Sequence, residues 1–317
     1  GIMARPYRLE IENGLYHITS RGNERRAIYL EEMDYRKFLE YLNKAKEKYK
    51  IYVYAYVLMS NHYHLLLETR EPNLSKMMQY LNTAYAIYFN WKHKRQGHLF
   101  QGRYKSLLVE KERYFAELTR YIHLNPVKAK ITEDPEKYTW SSYRGYIKLE
   151  ASGIVDHEQR KLYLDMDGRA YKEFVYEKIA GKEKDDLLSN AYASFLLGGS
   201  KFIKENLTIL KQEVEGKDVS GKKELQAATG VEEILKEVER YCGNKRLGNK
   251  GKLQKRSKKI ALYIARRLTS LTNKEIGVYF GIGHSAVSKA ALDIEKKMGE
   301  DKKIQKDIKT IISNFEV

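Results

Sequence analysis

The sequence predicts an α+β fold: an antiparallel sheet of ferredoxin-like type with helices packed on it, followed by an all-α region. Three observations carry this. Residues 7–147 alternate strand-like and helix-like segments in the order strand, helix, strand, strand, helix, strand, helix. Two consecutive strands are separated only by Ser60-Asn61, a tight turn that forces an antiparallel pair and excludes a doubly wound parallel sheet. From Val231 onward the apolar spacing is helical throughout.

The elements follow in order. Leu15 to Thr19 reads as a short strand ending at Arg21-Gly22-Asn23. Between Met33 and Tyr49, Phe38, Leu39, Leu42 and Ala45 recur at helical spacing. Ile51 to Met59, rich in Val, Tyr and Ile, reads as a strand, and His62 to Glu68 as its hairpin partner. Asn73 to Trp91 is helical, with Asn73 placed to cap it. Tyr104 to Val109 forms a further strand. Glu112 to Leu124 forms a helix that stops near Asn125-Pro126, because proline disfavours helical geometry just before itself. Short helices are expected at Tyr171–Ile179 and Asp185–Leu197, and a link at 216–221. Helices at Val231–Tyr241, Lys252–Leu268, Asn273–Phe280 and Ser285–Met298 follow, with Gly281-Ile282-Gly283 as a tight turn and Thr272 or Asn273 and Ser285 as caps. The expected domains are 1–147, a helical linking region 148–230, and 231–317.

Composition narrows the function classes. The 317 residues carry 59 Lys and Arg against 42 Asp and Glu, a net charge of +17. The length suggests two or three domains at roughly 150 residues each. The longest apolar run, Ile51 to Met59, is nine residues, against about 20 needed to span a bilayer. No N-terminal stretch has the form of a signal peptide. The single cysteine, Cys242, excludes an internal disulfide and a cysteine-based zinc knuckle. The expectation is a cytoplasmic, nucleoid-associated protein with no membrane partner. The charge points to an anionic partner, nucleic acid being the commonest, against the alternative of a lysine-rich solvated surface. The charge is not evenly spread: ten basic residues and no acidic one lie between Lys245 and Arg267, among them Lys255, Arg256, Lys258 and Lys259. A short helix, a glycine turn and a longer helix then make a helix-turn-helix pattern, whose second helix normally enters the DNA major groove.

His62-Tyr63-His64 is the sharpest local signal. Residues two apart on a strand share a face, so both imidazoles project together as a pair of ligands for a divalent metal. On the helix ending at Pro126, Tyr121 and Asn125 lie four apart and share a face. If that face packs on the histidine strand, Asn125 completes a three-ligand site and Tyr121 stands beside the metal, which would lower the phenol's pKa and polarise a phosphate. The competing reading has Tyr121 in the core and Asn125 capping the helix. Arg21, Arg25 and Arg26 cluster after the first strand, and Arg103 and Lys105 near Gly102; both groups suit DNA phosphates or a solvated loop. His17 could face the active sheet, but a surface or packed position is the expectation.

Extended blocks carry a resemblance. Ser20-Arg21-Gly22-Asn23-Glu24-Arg25, Met59 to Leu67, Gly97 to Ser106, Arg120 to Ala129 and Trp140-Ser141-Ser142-Tyr143 are similar to the signature blocks of REP-associated tyrosine transposases, single-tyrosine members of the HUH nuclease superfamily (IS200-like). The resemblance implies an enzyme acting on single-stranded DNA. It implies His62 and His64 as the HUH histidines, Tyr121 as nucleophile, Asn125 as third ligand, and Mg²⁺ or Mn²⁺ as the metal. The implied substrate is a hairpin with a single-stranded flank, cleaved and rejoined through a 5′-phosphotyrosine. The alternatives are a relaxase or replication initiator of the same superfamily, a DNA-binding regulator whose catalytic site has lapsed, and a zinc hydrolase using the histidine pair. A second resemblance covers about 252–298: Ile260 to Arg266, Leu271 to Gly277 and Gly283 to Ala290 are similar to the DNA-binding domain of the replication initiator DnaA. That family has Asp-His-Thr-Thr where this chain has Gly283-His284-Ser285-Ala286, so its sequence preference does not transfer. The resemblance implies duplex DNA as partner, with His284, Ser285, Ser288 and Lys289 as contacts. A homodimer is compatible with the sequence.

Overall fold

The computed structural model describes residues 8–148, 153–181, 187–191, 195–214, 230–231, 233–241, 250–269 and 271–313. The chain divides into two compact units, Arg8–Gly198 and the described residues from Gly199 onward.

The first unit is built on a five-stranded sheet. Its strands are β1 (Gly14–Arg21), β2 (Ile51–Met59), β3 (His62–Thr69), β4 (Lys105–Val109) and β5 (Leu196–Leu197), in the spatial order β2-β3-β1-β4-β5. The first four pair antiparallel, and β5 joins β4 in parallel. The order of the first four strands is that of a ferredoxin-like fold. The fifth makes the sheet mixed rather than wholly antiparallel. That strand falls where the helix Asp185–Leu197 was expected. Leu187–Asn190 there is a short 3-10 turn, and Leu196 and Leu197 are buried against β4, so tertiary pairing overrides local helical spacing.

Helices cover both faces. On one, α1 (Glu32–Tyr49) and α2 (Leu74–Lys92) bury Phe38, Leu42, Leu81, Tyr85 and Phe89. Phe38 packs on Tyr63 of β3 at 4.8 Å between ring centres. The N-terminus of α1 is closed by a capping box between Glu31 and Asp34. Asp34, fully buried, also accepts from the backbone N–H of Leu30 and bonds His93 just beyond α2, tying the two helices together. Asn73 begins α2 without capping it; its amide donates to the Tyr49 carbonyl instead. On the other face lies α3 (Lys111–His123), whose stripe Phe115, Leu118, Thr119 and Ile122 is buried at helical spacing. A short α4 (Asn125–Lys128), with Pro126 in its first turn, follows directly.

The β2 edge is covered, as an exposed edge would invite further pairing. Beside β2, Leu58 N–H donates to the Trp140 carbonyl and Ser142 N–H to the Tyr56 carbonyl, while Asp156 accepts from Val53 N–H at the β2 bulge. Short helices α5 (Tyr143–Tyr146) and α6 (His157–Arg160) and the longer α7 (Gly168–Ala180) continue this layer, with Tyr143, Tyr146, Tyr171 and Val175 buried.

The second unit is helical among its described residues: α8 (Ser200–Val214), α9 (residues 233–241), α10 (Lys250–Leu268), α11 (Asn273–Phe280), α12 (His284–Glu300) and α13 (Lys302–Ser313). Its core gathers Val238, Ile264, Ile276, Tyr279, Val287, Ile294 and Ile308. Thr272 caps α11 through a reciprocal bond pair with Glu275. Gly281 ends α11 at φ 67°, a left-handed turn that suits glycine. Gly277 is required for a different reason: a Cβ there would lie 2.5 Å from the Ile282 carbonyl oxygen. The α12 cap is Gly283, not Ser285, because the helix begins one residue earlier than its apolar spacing suggests. The expected link at 216–221 lies outside the described residues.

Candidate active site

Pairing register decides which side chains share the site. Thr19 pairs with His64, Arg21 with His62, His17 with Leu66, and Lys105 with Thr19. Paired residues point to one face, so His17, Arg21, His62, His64 and Lys105 all lie on the α3 face of the sheet. Tyr63 between the histidines points the other way and donates to Asn82.

The histidines are held by specific bonds. His17 Nε2 and His64 Nδ1 are 2.9 Å apart, in buried rings nearly parallel at 10°. His62 Nδ1 lies 2.7 Å from Asn61 Oδ1. The His62 and His64 rings are 5.2 Å apart between centres. Burial pushes the His17 imidazole down to about 4. His64 is pushed well below the ordinary value by burial, then by the neighbouring His17, His62 and Lys128. His62 is lowered by burial and by the Arg21 charge. All three are therefore neutral near pH 7, the form in which an imidazole binds a metal.

Tyr121 comes from α3 and meets this cluster edge-on, 5.9 Å from the His64 ring centre and 5.8 Å from that of His17. Lys128, seven residues on and so two helical turns away, places its Nζ 4.0 Å from the Tyr121 ring centre. The structure thus brings His62, His64 and Tyr121 together. Asn125 turns its Nδ2 back to the Tyr121 carbonyl at 2.8 Å, which reserves Oδ1, the better ligand atom for a hard cation, for another partner.

The donor set fits a divalent cation. Two neutral imidazoles and an amide oxygen suit Mn²⁺, Zn²⁺ or Ni²⁺, and the amide oxygen suits Mg²⁺. Among the described residues no group of three or more His, Cys, Asp and Glu could hold a metal.

The basic candidates divide. Arg21 is exposed beside the histidines and donates to Gln101 Oε1 at 2.8 Å. Arg25 is exposed, and Arg26 pairs with Glu24 at 2.7 Å. Arg103 and Lys105 are exposed, Lys105 on the histidine face. In the second unit His284, Ser285 and Lys289 are exposed along the first turns of α12, whereas Ser288 is half-buried and accepts from Asn273. Lys258 donates to the Phe280 carbonyl, and Lys259 pairs with Asp293 at 2.7 Å. The side chains of Lys255 and Arg256 lie outside the described residues.

Sequence reasoning missed Asn61 and Lys128, and ranked the active-sheet position of His17 below a surface or packed one. The parity of His17 with His64 was hidden until strand register was known. Lys128 carried a usable signal, its two-turn spacing from Tyr121.

The site is thus a pair of histidines on the sheet face that a helix-borne tyrosine approaches. The model of the family described as Transposase IS200 like matches residues 10–125, the span that holds β1 to β4, both histidines, Tyr121 and Asn125. Over these residues the chain is similar to the IS200-like transposases. No curated protein matches the chain. Among solved structures, a REP-associated tyrosine transposase bound to a REP hairpin is similar at TM-score 0.41 and 17% identity, covering 49% of this chain and 94% of that one. A Deinococcus radiodurans protein assigned as a transposase matches at TM-score 0.28 and 22% identity, over 38% of this chain and 95% of its own. A tRNA(His) guanylyltransferase of Saccharomyces cerevisiae matches at TM-score 0.30 and 10% identity, over 57% and 86%. Similarities this weak do not bear on activity. No described helix is long and apolar enough to cross a membrane.

Proposed function

We propose that the chain is a metal-dependent nuclease and strand transferase for single-stranded DNA that works through a 5′-phosphotyrosine. The observation that carries this reading is the approach of Tyr121 to within 5.9 Å of the His64 ring, inside the region similar to the IS200-like transposases. The Tyr121 oxygen attacks the scissile phosphorus as its proton leaves to solvent. The bond to the 3′ oxygen breaks, and that oxygen takes up a proton as a free 3′-hydroxyl. The phosphoryl group stays on Tyr121, so the bond energy is conserved and a second 3′-hydroxyl can attack and rejoin the strand. Arg21 and Lys105 lie on the same sheet face and suit the flanking phosphates. Lys128 favours negative charge on the phenol oxygen. His62, His64 and Asn125 would hold Mg²⁺ or Mn²⁺, which supplies charge neutralisation at a phosphate oxygen.

The substrate class implied by the sequence blocks is a DNA hairpin with a single-stranded flank. The region 1–147 carries the chemistry. We assign 231–317 to duplex binding, with His284, Ser285 and Lys289 at the exposed start of α12 as its contacts. The test is incubation with labelled hairpin DNA and Mn²⁺ or Mg²⁺, followed by denaturing electrophoresis. Label stays on the wild-type protein and not on Tyr121→Phe. Absence of label on the wild type, or its persistence on the variant, contradicts the reading.

A further inference from the structure

The protonation of His62 can be read from the bonds around it. Asn61 Nδ2 donates to the Arg25 carbonyl at 3.0 Å, and an amide nitrogen can only donate. The amide is therefore oriented, and the atom it turns to His62 is the oxygen. That oxygen can only accept, so the 2.7 Å contact requires the proton of His62 to sit on Nδ1. The Nε2 lone pair is then bare. An isolated imidazole side chain favours the opposite arrangement, with the proton on Nε2. The His17 contact to His64 differs, because two ring nitrogens can share a proton either way.

The support for Asn61 is itself unusual backbone. Arg25 and the preceding Glu24 have φ of 61° and 54°, a region that residues with a side chain seldom adopt. Gly22 opens this turn, and a Cβ there would stand 2.1 Å from the Arg26 carbonyl oxygen. Gly22 N–H donates to the Asn61 carbonyl at 2.8 Å, fastening the turn to the β2–β3 hairpin. The turn therefore sends the Arg25 carbonyl inward to Asn61 while its arginine side chains face solvent.

We propose that Asn61 is a positioning residue that presets the tautomer of His62, so that Nε2 is presented ready for a divalent cation, and that the Gly22–Arg26 turn holds Asn61 in that role. The inference rests on reading His62 as a metal ligand. Outer-shell partners of this kind are worth about 10- to 100-fold in metal affinity.

The test uses the full-length protein and Mn²⁺ as probe. Two-bond nitrogen-15 spectra of the metal-free protein at pH 8, with the His62 signals assigned by their loss in His62→Gln, show the proton on Nδ1. Asn61→Leu moves it to Nε2 and weakens Mn²⁺ binding, read by electron paramagnetic resonance, about 10- to 100-fold. Asn61→Asp keeps an acceptor oxygen opposite Nδ1, though it gives up the donor to the Arg25 carbonyl, and keeps the proton of His62 on Nδ1. A wild-type His62 protonated on Nε2 overturns the proposal without recourse to any variant. So does Asn61→Leu binding Mn²⁺ as tightly as the wild type. Loss of the DNA adduct in a wild-type protein that binds Mn²⁺ through His62 would instead strike the proposed function and leave Asn61's role standing.

Discussion

The two units hold their candidate functional side chains in opposite ways. In the first, His17 and His64 are buried, His62 is half-buried, and each bonds a neighbour chosen by strand register or by a turn. In the second, His284, Ser285 and Lys289 stand exposed at the start of a helix. Chemistry at phosphorus needs groups fixed in place and shielded from water, since preorganised groups lose nothing in reorientation. Reading a duplex needs side chains that reach outward from a firm helix. The lysines Lys258 and Lys259 show how composition misleads here: both belong to the ten basic residues between Lys245 and Arg267, yet one closes the end of α11 and the other pairs with Asp293.

The contrast can be broken at several points. Tyr121→Phe, which keeps the ring and its edge contacts, is expected to lower the rate of covalent adduct formation by at least about 1,000-fold while leaving thermal stability unchanged. Quantified adduct and melting curves check both halves. A variant that melts early would mean that the hydroxyl serves the fold.

A second point separates burial for chemistry from burial for packing. His123, two residues beyond Tyr121, is fully buried and bonds the Tyr171 hydroxyl at 2.7 Å and Ser142 Oγ at 2.8 Å. His123→Ala should cost about 2–3 kcal/mol from lost packing and unsatisfied partners, seen as a lower denaturant midpoint.

The same residue sets a pH dependence. Burial pushes the His123 imidazole down to about 3, with the Arg160 charge adding to it. The unfolded chain therefore binds this proton more readily than the folded one, and stability falls as pH drops from about 6.5 toward 3. The slope from this one group is up to about 1.4 kcal/mol per pH unit, and it should be absent from the His123→Ala variant relative to wild type.

The smallest effect belongs to the second unit. Lys289→Ala should weaken duplex binding several-fold and reduce the slope of log affinity against log salt by about one, with adduct formation on hairpin DNA unchanged. An unchanged slope would remove Lys289 from the interface.

The legible part of the molecule was the part with local causes. The strand-forming runs Ile51 to Met59 and His62 to Glu68 around a two-residue turn dictated the β2–β3 hairpin, and His-Tyr-His parity put both imidazoles on one face. The four-residue spacing of Tyr121 and Asn125 placed them on one helical face. What stayed hidden depended on partners distant in sequence. The fifth strand exists because β4 offers an edge to Leu196 and Leu197. His17 reaches His64 across 47 residues of chain, and its role follows from β1–β3 register, which no window along the sequence contains. Asn61 read as a turn residue, which it is. Its second duty, toward His62, arises only because the Arg25 carbonyl folds back to orient its amide.

The central claim is spatial: a cation on the histidine pair and the Tyr121 phenol share one site. Pulsed electron–nuclear double resonance on the Mn²⁺-loaded protein, with tyrosine labelled by carbon-13 at the hydroxyl-bearing carbon, measures this directly. The account predicts a carbon-13 coupling to the manganese in the wild type that disappears in Tyr121→Phe. A spectrum without such a coupling, or one that keeps it in the variant, contradicts the account.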